Sequence, residues 1–588
     1  MHFLKLAELY QELETTSSGN KMREILAEFF KTVPQEDIAV ISYLTIGSIA
    51  PSSDDVNLGM ADKSVLKSIA DAGGIEESKV KKLMQETGDV GLVAEKILSR
   101  KTKTLVEVGK LRESEDSLVA SEQLIVQEVF DKLHKISQTS GTGSQKIKSK
   151  MLVSLLQKAS SLEAKYLCRI VLSTLRIGVG DMTVLDALAI AYTGEKKNKE
   201  ILEHAYNICP DVGIVAETLV KKGLKGVEKV DIHVGRPIQM MLAQRVKELG
   251  DVPEKMTQGF TAEAKYDGER VQAHKDNKGK ITLFSRRLEN ITHQFPDLVE
   301  YLKKGIDAKD FVLEGEVLAI DEKGHHLPFQ VLMQRRRKHD IEEYVKKIPV
   351  QLKCFDLLYC NGKSYLHEPY TERKKQLENM ISKNQLQKVK HLTLTESITT
   401  DDIDEVGEFF QDMLKEKYEG IILKSHTGEY QAGTRGWNWI KWKKDYSTEM
   451  SDTLDLVIVG AYHGNGKRSG SYGALLCAAY DEKQDIFVTV CKLGTGLTDE
   501  LLEELPKKLA KHKIAHKPAR LRVKKEMEAE VWFEPAIVVE VLGAELTVSP
   551  FHTAGVALRF PRFVRFRDEK KPEQATTLKE LEEMIKKK

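Results

Sequence analysis

The hydrophobic period of this chain changes once, near Val234-Gly235-Arg236-Pro237, and that change constrains the fold more than any other feature. Before it, apolar residues recur at steps of three and four. In SEQLIVQEVFDKLHKI they are Ile125, Val129, Phe130, Leu133 and Ile136, the spacing that gathers side chains on one helical face. LSTLRIGVGD and VLDALAIAY continue that helical pattern. From Phe260 onward apolar and polar residues alternate, and turn signals close the runs. FTAEAKYDGERVQAHK meets DNKG and then ITLFSRR, which reads as a hairpin, and FVLEGEVLAI ends in DEKG. Helical stretches around 341–347 and 402–417 interrupt the strands. After Trp442 the short runs DTLDLVIVGAY, ALLCAAYD and DIFVTVCKLG are linked by glycine-rich turns such as HGNGKRSGSYG, compatible with a small barrel of the OB type. ATTLKELEEMIKKK reads as a short closing helix with Leu578, Leu581 and Ile585 on one side.

A chain of 588 residues exceeds what one hydrophobic core organises. The expected architecture is multidomain: an all-α domain over 1–234, an α+β domain over 235–447, and an OB-fold β-barrel with a short C-terminal helix over 448–588. Mean hydropathy is −0.35, and no apolar run is long enough for a bilayer. The start, MHFLKLAELYQELE, carries acids where a signal peptide needs a basic start and an apolar core. The reading is an intracellular, cytoplasmic protein with no membrane contact. A net charge of +1 neither demands nor excludes nucleic acid, because binding depends on where charge clusters. Cys168, Cys209, Cys354, Cys360, Cys477 and Cys491 form no zinc spacing and read as buried free thiols. His325 and His326, beside the DEKG turn, read as surface residues rather than ligands. GTGSQKIKSK (Gly141–Lys150) has two readings: a loop leading into a basic helix start, or backbone N–H groups and lysines that hold DNA phosphates. The pattern alone does not choose between them.

One lysine carries the chemistry. Lys265 sits in EAKYDGER, and K-x-D-G alone is no more than a charged turn at a strand end. The motifs downstream of Lys265 are more specific. In chain order they are SRR (Ser285–Arg287), LEGE (Leu313–Glu316), CFDLLY (Cys354–Tyr359), YEGIILK (Tyr418–Lys424), WIKWK (Trp439–Lys443) and RFPRFVRFRDEK (Arg559–Lys570). The series resembles the ordered motifs of the covalent nucleotidyltransferases, namely DNA ligases, RNA ligases and mRNA capping enzymes. EAKYLCRIVLSTLRIGVGDMTVLDALAIAY, GTGSQK, VGRPIQMMLAQRV, ELTVSPFHTAG and RFPRFVRFRDEKKPEQATT narrow it. They are similar to the archaeal and eukaryotic replicative-type ATP-dependent DNA ligases, over nearly the whole chain. The large helical first domain argues against RNA ligase and capping enzyme. The absence of a four-cysteine cluster after the barrel argues against a NAD⁺-dependent ligase.

The resemblance implies a helical DNA-binding domain, an adenylation domain and an OB-fold. It implies ATP and Mg²⁺ (or Mn²⁺) as cofactors, nicked duplex DNA as partner, and a monomer. Lys265 matches the nucleophile that takes AMP from ATP, splitting one difficult step into easier ones. Glu316 and Glu419 match the carboxylates for the divalent metal, which prefers hard oxygen ligands. Lys441 and Lys443 match the pair on the α-phosphate, and Arg270 the arginine on the ribose side. Glu263 matches the acid that accepts from the adenine amino group. Phe355 matches the stacking aromatic, with Ile422 as the apolar slab opposite and Lys424 in the same nucleotide-binding motif. Arg286 matches the arginine for the 5′-phosphate of the nick, and Arg562 and Lys570 those that orient pyrophosphate. The same basic run, Arg559, Arg562, Arg565, Arg567, Lys570 and Lys571 with Phe560, Phe563 and Phe566 interleaved, also suits a solvated edge strand. Glu314 stands where family members often have Asp, so its role is not carried over. No aromatic pair marks SRKTKTLVEVGK (Ser99–Lys110) as a clamp-binding segment, and a sliding-clamp partner is left open.

Overall fold

The computed structural model describes residues 1–588 except 55, 110–122, 247, 336–340, 382–388, 444–452, 465–470, 544 and 587–588. The chain forms two compact units, Met1–Trp442 and Lys443–Lys588. Part of the glycine-rich HGNGKRSGSYG run, and Lys110 at the end of the segment read for clamp binding, lie outside the described residues. No described helix is long and apolar enough to cross a membrane.

The first unit begins with helices, from Phe3–Glu14 through Val212–Val227. Their apolar stripes meet in one core: Phe3, Leu6, Tyr10 and Leu13 of the first helix pack with Leu133, Tyr166, Leu185 and Leu188. In the helix Val126–Gln138 the buried face is Val126, Val129, Leu133 and Ile136. Ile125 precedes the first turn and is exposed, so Val126 takes the position expected of it. LSTLRIGVGD is not helical. The helix Ser161–Val171 stops, and Ser173, Arg176 and Gly178 adopt positive φ before the helix Asp181–Thr193 begins. Left-handed backbone cannot continue a right-handed helix.

Strands come next: β1 (Leu242–Arg245), β2 (Phe260–Lys265), β3 (Glu269–Lys275), β4 (Ile281–Ser285), β5 (Phe311–Ala319) and β6 (Val350–Cys360). Then come β7 (Lys363–Ser364), β8 (Leu392–Leu394), β9 (Ser397–Thr399), β10 (Gly420–Ser425) and β11 (Arg435–Lys443). They build two sheets, β1-β11-β10-β2-β9 and β4-β3-β5-β6-β7, with β8 beside β6. The DNKG hairpin is present between β3 and β4. Consecutive strands β2 and β3 nevertheless belong to different sheets, so the turn Tyr266–Gly268 carries the chain from one to the other. Gly268 is required there. A Cβ at that position would lie 2.4 Å from the Val317 carbonyl oxygen, closer than any real contact allows.

The second unit is rich in strands. Leu454–His463, Tyr472–Asp481 and Ile486–Leu493 form an antiparallel meander, Val531–Leu542 pairs with the first of these, and Arg562–Phe566 pairs with Val531–Leu542. A bridge between Thr495 and Arg562 brings the far side of the meander back to the last strand, so the sheet curls on itself. The barrel interior holds Leu456, Leu475, Cys477, Val490 and Val539. The helix Leu578–Lys586 closes it with Leu581 buried and Leu578 and Ile585 half-buried.

Candidate active site

Alternation along the pleat sorts β2 into two faces. Phe260, Ala262 and Ala264 enter an apolar cluster with Ile421, Leu423 and Ile440. Thr261, Glu263 and Lys265 therefore point the other way. On β10 the antiparallel register sets Ile422 opposite Glu263, Lys424 opposite Thr261 and Gly420 opposite Lys265. On β11, Ile440 and Trp442 join the same apolar cluster, which leaves Trp439, Lys441 and Lys443 on the cleft side. The second sheet contributes Arg270 from β3, Glu314 and Glu316 from β5 and Phe355 from β6.

Lys265 ends β2, and its Nζ donates to Glu419 Oε2. The Glu419 backbone N–H in turn donates to the Lys265 carbonyl at 2.9 Å. Glu316 is paired in register with Arg270 across β3 and β5. Burial pushes its carboxyl up to about 7. The positive charges of Lys265 and Arg270 oppose that shift, and the negative charges of Glu419 and Asp267 add to it.

Glu263 is 3% exposed. Lys424 Nζ lies 2.8 Å from its Oε2 and donates to the Phe355 carbonyl at 2.7 Å. Phe355 meets Trp439 edge to face at 6.1 Å. Phe355 and Ile422, both half-buried, border one apolar cluster with Met241, Tyr430 and Trp439. Arg270 lies over the Phe355 and Trp439 rings at 5.4 and 5.2 Å. It donates to the Met241 carbonyl at 2.8 Å and to Glu314 Oε2 at 2.7 Å.

The structure thus brings Lys265, Glu263, Arg270, Glu316, Phe355, Glu419, Ile422, Lys424, Lys441 and Lys443 onto the facing sides of two sheets. Arg286 follows Ser285, which pairs with Val271 beside Arg270, and is exposed on the turn after β4. Arg562 and Lys570 belong to the second unit. Arg562 is exposed on its last strand, and Lys570 Nζ lies 2.5 Å from Asp455. All six cysteines are buried and free. His326 is half-buried rather than a surface residue and meets Tyr266 edge to face and Tyr418 at a tilt, whereas His325 is exposed. Trp437 is 41% exposed. In GTGSQKIKSK, Gly141 and Gly143 take left-handed φ, and Lys146 and Lys150 are exposed. Lys148 instead turns inward to the Leu58 carbonyl at 2.8 Å, so it faces protein and not solvent.

Several residues of the cleft were not legible in the sequence. Glu314 is fully buried and is the counter-ion of Arg270, with Tyr430 Oη donating to it at 3.0 Å and Gln272 Nε2 at 3.2 Å. Tyr370 Oη donates to Glu263. Asp356 and Arg373, both fully buried, form a bidentate pair at 2.8 and 3.1 Å behind Phe355 in sequence. The even spacing of Glu314 and Glu316, which places both on one face of β5, was the one available signal.

This two-sheet cleft, with a strand-borne lysine paired to a carboxylate and an aromatic-lined slot beside it, defines an adenylation domain of the nucleotidyltransferase class. Three ligase families match the chain in order: DNA ligase N terminus over residues 2–189, ATP dependent DNA ligase domain over 240–443, and ATP dependent DNA ligase C terminal region over 468–570. The chain belongs to the ATP-dependent DNA ligases. It is 45% identical to DNA ligase 2 of Thermofilum pendens, covering 99% of this chain and 96% of that one. It is 42% identical to the DNA ligase of Nitrosopumilus maritimus, with 99% and 97% covered. Among solved structures, Pmar-Lig_PreS3 shares the fold with a TM-score of 0.54 at 18% identity, covering 96% of this chain and 99% of that one.

Proposed function

We propose that Lys265 is the residue through which this ligase carries AMP from ATP to a nick in duplex DNA. Its amine attacks the α-phosphorus, a P–N bond forms, and pyrophosphate leaves. An oxygen of the 5′-phosphate then attacks the same phosphorus, releasing the lysine and leaving AMP on the DNA. The 3′-hydroxyl attacks the activated 5′-phosphate, and AMP departs as the backbone closes. Covalent catalysis suits the task because AMP is a far better leaving group than a phosphate oxygen.

The observation that carries this reading is the Lys265–Glu419 pair, with Glu316 facing it from the opposite sheet. Burial raises the Glu316 carboxyl to about 7 although Lys265 and Arg270 oppose the shift. Glu316 and Glu419 fit Mg²⁺ or Mn²⁺, which commonly take one or two carboxylates together with substrate phosphates. An ion held by Glu316 and Glu419 would supply neutralisation of phosphate charge beside the lysine amine. Lys441 and Lys443, on the cleft face of β11, serve the α-phosphate. Phe355 and Ile422 sandwich the adenine, Glu263 accepts from its amino group, and Arg270 with its fixed guanidinium serves the ribose. Lys424 acts through Glu263 and not on phosphate, since its ammonium is already engaged there.

Arg286 for the nick 5′-phosphate and Arg562 and Lys570 for pyrophosphate rest on motif order alone. The divisions at 1–234, 235–447 and 448–588 rest on the changes of hydrophobic pattern along the chain, a monomeric state on the resemblance, and a cytoplasmic location on the lack of an apolar run long enough for a bilayer. No sliding-clamp site is assigned.

The test is incubation of the protein with Mg²⁺ and α-labelled ATP, denaturation of one portion, and a chase of the undenatured remainder into nicked DNA. Label stable to denaturation in wild type, absent in Lys265→Ala and transferred to DNA with sealed product, is the expected result. Labelling of Lys265→Ala at the wild-type level overturns it.

A further inference from the structure

Glu263 is held from two separate elements. Tyr370, the first residue of the helix Tyr370–Met380 and 1% exposed, donates its phenol to Oε1. Lys424, also 1% exposed, holds Oε2. The next turn of the same helix adds Lys374, whose Nζ donates to Ser397 Oγ at 2.8 Å on the far side of β2. Burial and the charge of Glu263 push the Tyr370 phenol well above its ordinary range, so it remains a donor. Three polar groups, Glu263, Tyr370 and Lys424, all almost fully buried, thus converge where the slot between Phe355 and Ile422 ends. A phenol that donates to a buried carboxylate satisfies one of its lone pairs and holds it in one orientation.

We propose that Tyr370 is a specificity-determining positioning residue, which turns Glu263 so that it admits a 6-amino purine and refuses a 6-oxo purine. This rests on the reading of Glu263 as the adenine acceptor. Each carboxylate oxygen offers two acceptor sites. Tyr370 and Lys424 each consume one, and the sites left over are acceptors only. They complete a hydrogen bond with an exocyclic amino group and face the lone pairs of an oxo group unpaired. The Lys424 ammonium would favour an oxo purine, and the same arrangement ties it to Glu263. Removal of the phenol frees Glu263 to pivot and loosens both halves of the selection.

The experiment measures self-adenylylation of the full chain with ATP and with inosine triphosphate, which differs in carrying an oxo group at that position. Wild type, Tyr370→Phe, Glu263→Gln and the double variant are compared. Tyr370→Phe is expected to raise KM for ATP about ten-fold with kcat nearly unchanged, and to lower the ATP-to-inosine ratio of kcat/KM by about ten-fold, the scale of one lost buried hydrogen bond. In the Glu263→Gln background the same substitution is expected to leave the ratio unmoved. Should Tyr370→Phe not fold, Tyr370→Met removes the hydroxyl while keeping apolar volume. A fall in kcat shared by both nucleotides, with the ratio intact, overturns the proposal. If Glu263→Gln shifts the ratio and Tyr370→Phe does not, Tyr370 loses its role while Glu263 keeps its own. If neither shifts it, the adenine reading of Glu263 fails as well.

Discussion

Lys265 and Glu419 are tied to each other twice, side chain to side chain and backbone N–H to carbonyl at 2.9 Å. The backbone bond continues the β2–β10 ladder, in which Lys265 faces Gly420. The register therefore fixes the two backbones beside each other, so the carboxylate starts within reach of the lysine. Lys265→Ala is expected to abolish covalent labelling. Glu419→Gln should fold normally and label at least about 10²-fold more slowly, the usual scale for losing one preorganised electrostatic partner. A time course of AMP transfer to the protein decides it, and a Glu419→Gln rate close to wild type would count against the assignment.

Glu314 answers the question its identity posed. It is the buried counter-ion of Arg270 and also receives Tyr430 and Gln272. Glu314→Ala leaves a guanidinium in the cleft without its partner, and the Arg270 Nε already lacks one among the described residues. Breaking a buried pair from one side costs about 3–5 kcal/mol. Denaturant unfolding should show a loss of that order, and a loss under about 1 kcal/mol would mean that Arg270 finds another partner.

Gly268→Ala tests the crossing between sheets. Its Cβ would meet backbone at Val317 and not a side chain that can swing aside. Overpacking of this kind costs typically about 1–3 kcal/mol, and here it also displaces the turn that leads away from Lys265. The variant should be less stable and should label poorly even at saturating ATP. Full labelling with unchanged Tm would show that the turn relaxes.

His274 supplies a pH dependence. It is 1% exposed, and its Nδ1 accepts from the Gly235 N–H at 3.1 Å. Burial pushes its pKa down from 6.5 to about 3. The unfolded chain therefore binds more protons than the folded one between those values. Stability from this group is fully present above pH 6.5 and falls as pH drops toward 3, at roughly 1.4 kcal/mol per unit. His274→Gln removes the titration. Urea unfolding from about pH 7 to about pH 5, a window that spans the unfolded-state value, should find the wild type losing more stability than the variant. Parallel losses would show that His274 is not the group responsible.

The period change near residue 234, the β3–β4 hairpin and the closing helix were legible because each depends on neighbours a few residues apart. The same local rule puts Glu263 with Lys265, and Lys441 with Lys443, on shared strand faces: side chains two apart on a pleat point the same way. The motif order singled out Lys265 as the candidate nucleophile. The helical pattern failed at LSTLRIGVGD, where positive φ at Ser173 and Arg176 is set by packing that apolar spacing does not encode.

What only the tertiary structure decided is which distant groups meet. Glu419 reaches Lys265 from 154 residues away, and Tyr370 reaches Glu263 from 107. Lys148 turned inward to a carbonyl, although its neighbours in the same basic run face solvent. Strand pairing and the need to satisfy every buried polar group select those partners, and neither requirement is written in the residues on either side of them.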